Sequence, residues 1–264
     1  MSAPSLWLSP FLFAAAAGVD APSQATFHSF SPTPRDAMRE MVTDRPDTTE
    51  SPFTVDPGHV QLEMDAFAAE RDDGATELWV AASNLRLGLT SSLDLHLIVE
   101  PWRHADGISG FGDLTLRAKL NLWGNDGGAT AFGVIPFVRF PTAAPGLGAG
   151  DVEGGLILPL TLELPSDFEL GTMLELDETH RDDGYGTDLV VSGSLGHDLW
   201  GELGGYVELA TSVPLDGPDD TELGVNGGLI LQLGDDVAID TGTRFGLTAP
   251  APDFAWFVGG SARY

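Results

Sequence analysis

Acidic and basic side chains recur at alternate positions along this chain, and that spacing sets what chemistry they can do. Glu63 and Asp65, then Asp94, His96 and Glu100, then Glu163, Glu175, Glu208 and Asp240 alternate with apolar neighbours. Arg86, Asp113, Arg117, Lys119, Arg139 and Arg244 occupy equivalent positions. A period of two puts such side chains on one face of a strand. Facing each other across a closed interior, carboxylates and cations form ion-pair ladders that either narrow a pore or fill it. Nucleophilic catalysis needs another pattern. His28, His59, His96, His104, His180 and His197 fall in no Ser-His-Asp arrangement, and no Gly-x-Ser-x-Gly occurs. His96 and His180 lie near carboxylates, which is ordinarily a structural arrangement. Gly146-Leu147-Gly148 sits in a loop before a strand, so a nucleotide-binding reading fails on context. Asp182-Asp183-Gly184 and Asp219-Asp220 are candidates for calcium on an external rim, but their spacing is not that of an EF-hand loop. No cofactor and no metal is therefore expected, and no catalytic residue is assigned.

Composition narrows the class further. Of 264 residues, 40 are acidic and 12 are Lys or Arg, for a net charge of −28, which excludes a nucleic-acid partner because that needs a basic footprint. The same charge fits either simple solubility or an acidic lumen with acidic external loops that attract divalent cations. With no cysteine, disulfides and Cys-type zinc sites are excluded. No apolar run reaches the 18 or so residues of a membrane helix. A β-barrel hides its apolar surface at alternate positions, so average hydropathy does not exclude it.

The elements that must position the charged face are strands. In the last stretch Phe254, Trp256, Val258, Gly260, Ala262 and Tyr264 share one face and Ala255, Gly259, Ser261 and Arg263 the other. The same alternation runs back to residue 59 in twelve segments of about 11–13 residues, enough for a tilted bilayer crossing. The connections near 90–92, 124–128, 165–167, 199–201 and 234–236 are short. Those at 71–76, 104–110, 141–150, 179–186, 214–220 and 248–253 are longer and rich in Asp, Gly and Pro. This pattern predicts an all-β antiparallel transmembrane barrel of about 12 strands over 59–264, with short periplasmic turns and longer external loops. Pro136 predicts a local bulge. Trp79, Trp102, Trp123, Trp200 and Trp256 are expected in aromatic belts at the two interfaces. A strand closing on an aromatic residue, Tyr264, is what barrel-assembly machinery receives from outer-membrane barrels.

Residues 1–25 carry a short apolar run, Leu6–Ala17, followed by small residues, and read as a signal peptide without the usual basic start. Residues 26–58 are Pro-rich and irregular. Within them, Asp44, Arg45, Pro46, Asp47 and Glu50 form a stiffened, charged stretch that reads equally as a plug or gate in the lumen and as a strap across the barrel's end.

The stretch Thr43-Asp44-Arg45-Pro46-Asp47-Thr48-Thr49-Glu50-Ser51-Pro52-Phe53-Thr54-Val55-Asp56-Pro57-Gly58, followed by a strand at His59–Met64, resembles the MetA-pathway of phenol degradation family of bacterial outer-membrane proteins. Gly110-Phe111-Gly112-Asp113-Leu114-Thr115-Leu116 and Ile135-Pro136-Phe137-Val138 extend the resemblance, which covers about 43–264. It implies a barrel in the bacterial outer membrane, in contact with lipid and lipopolysaccharide, and a passive, non-enzymatic pore for small hydrophobic or aromatic solutes. Two alternatives stand beside it: a structural or adhesion barrel with a salt-bridged, filled lumen, and a lipid hydrolase acting at the rim.

Overall fold

The computed structural model describes residues 27–181, 184–217 and 220–264. The signal-peptide reading of 1–25 lies outside the described residues, as do Asp182, Asp183 and Asp219 of the acidic loop motifs. The strands are β1 (Val60–Asp72), β2 (Ala75–Thr90), β3 (Leu93–Val99), β4 (Trp102–Ala105), β5 (Ile108–Gly110), β6 (Leu114–Trp123) and β7 (Thr130–Phe140). They continue as β8 (Glu153–Leu164), β9 (Phe168–Arg181), β10 (Gly184–Trp200), β11 (Leu203–Pro214), β12 (Glu222–Gln232), β13 (Val237–Gly246) and β14 (Phe254–Arg263). Neighbours pair antiparallel in chain order, and β1 pairs with both β2 and β14, with Gln61 opposite Arg263. The sheet is thus a closed ring without a free edge. β4 and β5 form a hairpin that prolongs the β3 position along β2, leaving twelve positions in the wall.

Alternation decides the two faces. Leu87, Leu95, Leu116, Leu120, Leu122, Leu156, Leu174, Leu176, Val207, Leu209, Leu229 and Ile239 are exposed on the outside. On the inside Gln61, Glu63, Arg86, Asp94, His96, Lys119, Asn121, Ser192, Glu208, Asn226 and Asp240 are buried. A soluble β-protein has the reverse arrangement. An apolar exterior around a polar core is stable where lipid, not water, meets the wall.

Three sequence expectations are corrected. The segment 93–103 is not one strand: it breaks at Glu100-Pro101 into β3 and β4, since proline has no N–H for the ladder. Pro136 makes no bulge. Ile135, Pro136 and Phe137 face Ile157, Leu156 and Gly155 without a slip, and on the β6 side the ladder skips from Arg117–Phe137 to Leu120–Val134 in unchanged register. One missing donor interrupts a ladder without needing an extra residue. The register shifts lie instead at Asp65/Phe67, Gly88/Thr90, Asn121/Trp123 and Asp198/Trp200. Finally, Trp79 belongs to no belt. Ala81 sits at φ 59°, which switches the face of the residues before it. Trp79 then shares the inner face with Glu77 and Arg103, whose Cζ lies 5.3 Å from the indole centroid. Trp102, Trp123, Trp200 and Trp256 are exposed. Trp123 packs on Phe132 at 4.9 Å and Trp256 on Phe67 at 5.8 Å.

Candidate functional site

Residues 39–56 leave the short-turn end of the barrel, run into the ring and return. The two ends of this lumen segment are tied together. Asp56 accepts from the backbone N–H of Arg39 at 2.9 Å and from its Nε at 2.8 Å. Arg263 Nη1 donates to the Arg39 carbonyl at 2.8 Å, and its Nε to Asp236 at 2.8 Å. His59 bridges the rim, with Nε2 2.7 Å from the Thr33 carbonyl and Nδ1 3.0 Å from that of Tyr264.

Inside, the segment meets one wall as a buried ion network. Lys119 Nζ lies 2.5 Å and 2.6 Å from the two carboxylate oxygens of Asp44. Arg86 reaches Asp44 at 3.0 Å, Glu63 at 2.8 Å and Asp94 at 3.0 Å, and donates to the Phe53 carbonyl at 2.7 Å. Asp94 also accepts from Val55 N–H at 2.9 Å and holds His96 Nε2 at 2.9 Å. Arg117 pairs with Glu50, and Asn121 donates to the Pro52 carbonyl at 2.9 Å. Arg86, Lys119, Asp94 and His96 have essentially no solvent exposure. Ions removed from water this completely persist only when paired and hydrogen-bonded. Burial opposes ionisation of Asp44, but Arg86 and Lys119 outweigh it and hold the carboxyl well below its usual range. Burial and the Asp44 charge push Glu50 the other way, upward.

The opposite wall holds the same segment from its other side. Arg45 links the two sides, pairing with Asp65 of β1 at 2.7 Å and with Asp240 of β13 at 2.6 Å. Thr48 and Thr49 N–H donate to Glu208 at 3.0 Å and 2.7 Å, and Arg244 Nη2 donates to Thr48 Oγ1 at 2.7 Å. Contacts to β1, β2, β3 and β6 on one side and β10, β11 and β13 on the other fix the segment across the lumen.

The remaining sequence-selected residues stand apart from this centre. Asp113 accepts from the N–H groups of Ala143 and Ala149, both at 2.9 Å, and braces the 141–150 loop. Arg139 pairs with Glu153 at 2.9 Å. Glu163 faces Glu169 across the β8–β9 ladder. Glu175 and Asp177 lie on the inner face of β9, and Glu100 lies against Gly112. Sequence reasoning left out the uncharged groups, Gln61, Asn121, Asn226, Ser192 and Ser194, because alternation alone does not rank them.

A family profile described as "Putative MetA-pathway of phenol degradation" matches residues 43–264. The chain belongs to this family. The match begins where the lumen segment enters the ion network. No curated protein matches the chain. Among solved structures, the COG4313 outer membrane channel from Pseudomonas putida F1 is similar at a TM-score of 0.60 and 14% identity, over 84% of this chain and 100% of that one. The NanC porin is similar at 0.56 and 8%, over 77% and 98%. At these identities the likeness is one of fold: this phenol-degradation family member has the fold of outer-membrane channels.

Two further features of this family member bear on the lumen. The first is a row of wall glycines under the segment. A Cβ on Gly88 would stand 2.0 Å from the Asp56 carbonyl oxygen, one on Gly133 3.2 Å from Pro52, and one on Gly259 2.4 Å from an Arg45 nitrogen. Gly88 meets backbone, which cannot swing away. Gly88→Val is therefore expected to unseat the segment at a cost of roughly 1–3 kcal/mol. Liposome-swelling rates that rise several-fold, with a heat-modifiable barrel on gels, are the expected result. The second feature is an apolar cluster on the inner face, Ile135, Phe137, Ile157 and Met173, with Val190 against it. The segment lies on it: Glu50 N–H points at Met173 Sδ at 3.5 Å, and the Arg117 guanidinium that holds Glu50 sits 5.5 Å from the Phe137 ring centroid. Its signal in the sequence is that β7 and β8 are apolar on both faces, with Phe132 and Val134 beside Ile135, and Leu156 and Leu158 beside Ile157.

Proposed function

We propose that this chain is a passive channel of the bacterial outer membrane for small hydrophobic or aromatic solutes, and that the lumen segment is its gate. The observation that carries the reading is the covered apolar cluster. Ile135 and Ile157 have no solvent exposure although they face the lumen. Moving the segment would uncover a continuous apolar strip from Met173 through Ile157 and Ile135 to Phe137. An apolar solute crossing an otherwise charged lumen needs such a strip, because burying it against ions yields little of the roughly 25 cal/mol per Å² gained on apolar contact. The family's description, phenol degradation, and the channel named among the structural neighbours support the same class of cargo and activity. The exposed apolar wall fits outer-membrane lipid and lipopolysaccharide, and the strand running to Tyr264 fits delivery by the barrel-assembly machinery.

The rim-hydrolase alternative gains little from the side chains. His96 spends Nε2 on Asp94 and faces Asn84 with Nδ1 at 3.3 Å. His104 Nδ1 meets Ser109 Oγ at 2.7 Å on the β4–β5 hairpin. No carboxylate is paired with that ring among the described residues, and a hydrolytic triad needs one. The filled-lumen alternative rests on the ion network itself, and one experiment separates it from the gate. Conductance is measured in asymmetric lipopolysaccharide bilayers for the full chain and for a chain lacking 42–55. Steps that grow on deletion and are blocked by small aromatics are expected. Silence from both, with a heat-modifiable barrel on gels, would assign the protein a structural role.

A further inference from the structure

One layer of the inner wall near the long-loop end is aromatic rather than charged. Strand pairing sets Phe257 of β14 opposite Ala68 of β1, Ala68 opposite Trp79 of β2, and Trp79 opposite Arg103 of β4. On the far side Phe257 lies over Gly242 of β13, where a Cβ would stand 2.5 Å from its Cζ. Arg103 backs Trp79, and Arg45 of the lumen segment sits 5.8 Å from the Phe257 ring centroid. Two rings therefore flank an alanine. Strands two apart are separated by about 9.5 Å. That admits one further ring over Ala68 in stacked or edge contact, at centroid separations of about 4.5–7 Å. Phe257, Ala68 and Trp79 are all half-buried with the lumen segment in place.

Two irregularities at one level create this layer. Ala81 takes φ 59° in β2, and the β1–β14 register shifts between Asp65 and Phe67. The β1–β2 register is the same on both sides of that level, with Asp65 facing Ala82 and Phe67 facing Val80. Unbroken alternation would turn Phe67 and Val80 to the lumen and Ala68 and Trp79 to lipid. A non-glycine residue held in the left-handed region is strained, and such strain clusters at ligand sites. Glu70 is the next inner-face residue of β1, opposite Glu77 of β2 and Ala255 of β14. Arg103 holds Glu77 at 2.6 Å, and Arg244, opposite Ala255, donates to Thr48 Oγ1 and Asn226 Oδ1. Among the described residues Glu70 itself makes no hydrogen bond or ion pair.

We propose that Phe257, Ala68 and Trp79 form a docking site for a small neutral aromatic ring bearing a hydroxyl, with the ring over Ala68 and the hydroxyl donating to Glu70. Successive inner-face residues of one strand are about 6.7 Å apart. That distance suits a ring hydroxyl directed along β1 and one O–H···O bond of about 2.7 Å. The carboxyl oxygens of Glu70 accept, so a ring without a donor leaves them unmatched. A ring carrying a carboxylate meets Glu70 as a like charge. The cations beside it are committed, Arg45 to Asp65 and Asp240 and Arg103 to Glu77. A hydroxylated ring is the occupant that satisfies both the aromatic floor and the lone acceptor. Because the floor keeps its exposure while the lumen segment is seated, docking precedes any movement of the segment.

The inference rests on the channel reading above for its cargo, and its test keeps the two apart by two readouts. Binding is read from Trp79 fluorescence, taken as the difference between each folded barrel and its Trp79→Phe counterpart. Passage is read from conductance in lipopolysaccharide bilayers. Phenol, anisole and benzoate are titrated into the full chain, Ala68→Leu and Glu70→Ala, each first shown to be a heat-modifiable barrel on gels. Phenol is expected to give a saturable response in the full chain, and benzoate none. Loss of the hydrogen bond, by anisole or by Glu70→Ala, is expected to weaken binding about fivefold. Ala68→Leu fills the floor and is expected to weaken phenol roughly tenfold. No saturable Trp79 response, or equal phenol affinity in the full chain and both variants, would overturn the site. Conductance blocked by phenol equally in all three would keep the channel and overturn the site. Binding that follows Ala68 and Glu70, with no conductance from the full chain or from the chain lacking 42–55, would keep the site and overturn the channel.

Discussion

Replacing Arg86 by Leu is expected to cost about 3–5 kcal/mol, because it leaves buried carboxylates without their cation. Arg86 is the junction of the network: one guanidinium holds Asp44 of the lumen segment, Glu63 of β1 and Asp94 of β3, and also caps the Phe53 carbonyl. In the variant Lys119 still faces Asp44, while Glu63 and Asp94 lose their ion-pair partner. Arg86→Lys keeps the charge but not the planar fork, so it should fall between the two proteins. Equilibrium unfolding in urea gives the total loss by linear extrapolation. Tryptic cleavage after Arg39 shows how much of it is release of the segment and how much is loss of the wall. Since the segment has no strand pairing of its own and the wall is a closed hydrogen-bonded ring, early cleavage with a retained barrel is the expected division. An unchanged midpoint with a protected segment would mean that the network is solvated and contributes little.

The second large effect lies on the other face of the wall. Leu209 is exposed and sits midway along β11. If lipid meets it, Leu209→Arg costs about 2–4 kcal/mol, the penalty of a cation near the bilayer midplane. The same change at Leu247, exposed and just beyond β13, should cost about 0–1 kcal/mol because the side chain reaches the interface. Unfolding midpoints in lipid vesicles measure both. Equal, small effects at the two positions would place water against the wall at Leu209. A depth-dependent pair of values, together with the Arg86 result, would locate lipid outside and the ion network inside by energetics alone.

The closed barrel and the sidedness of its faces were determined by the sequence. Strict alternation over strands such as β6, with Leu114, Leu116 and Leu120 against Thr115, Arg117 and Lys119, is a local property, because successive side chains in a strand must point to opposite faces. Turn residues such as Gly124-Asn125-Asp126-Gly127 marked the short connections for the same local reason. The departures arose where a local rule met a ring-wide constraint. Trp79 changes face because Ala81 takes a left-handed conformation, and Pro136 keeps its register because two long neighbouring strands hold it there. Partners were decided only by the tertiary structure. Nothing in the spacing of Asp44, Arg86 and Lys119 pairs them, since 75 residues separate Asp44 from Lys119 and the pairing exists only once the ring closes around the segment. The apolar cluster is of the same kind. Ile135, Ile157 and Met173 lie on three different strands, and β-pairing brings them to one patch under Glu50. Alternation is written residue by residue, whereas an ion network and a covered patch depend on which strands a closed ring makes neighbours and on what it encloses.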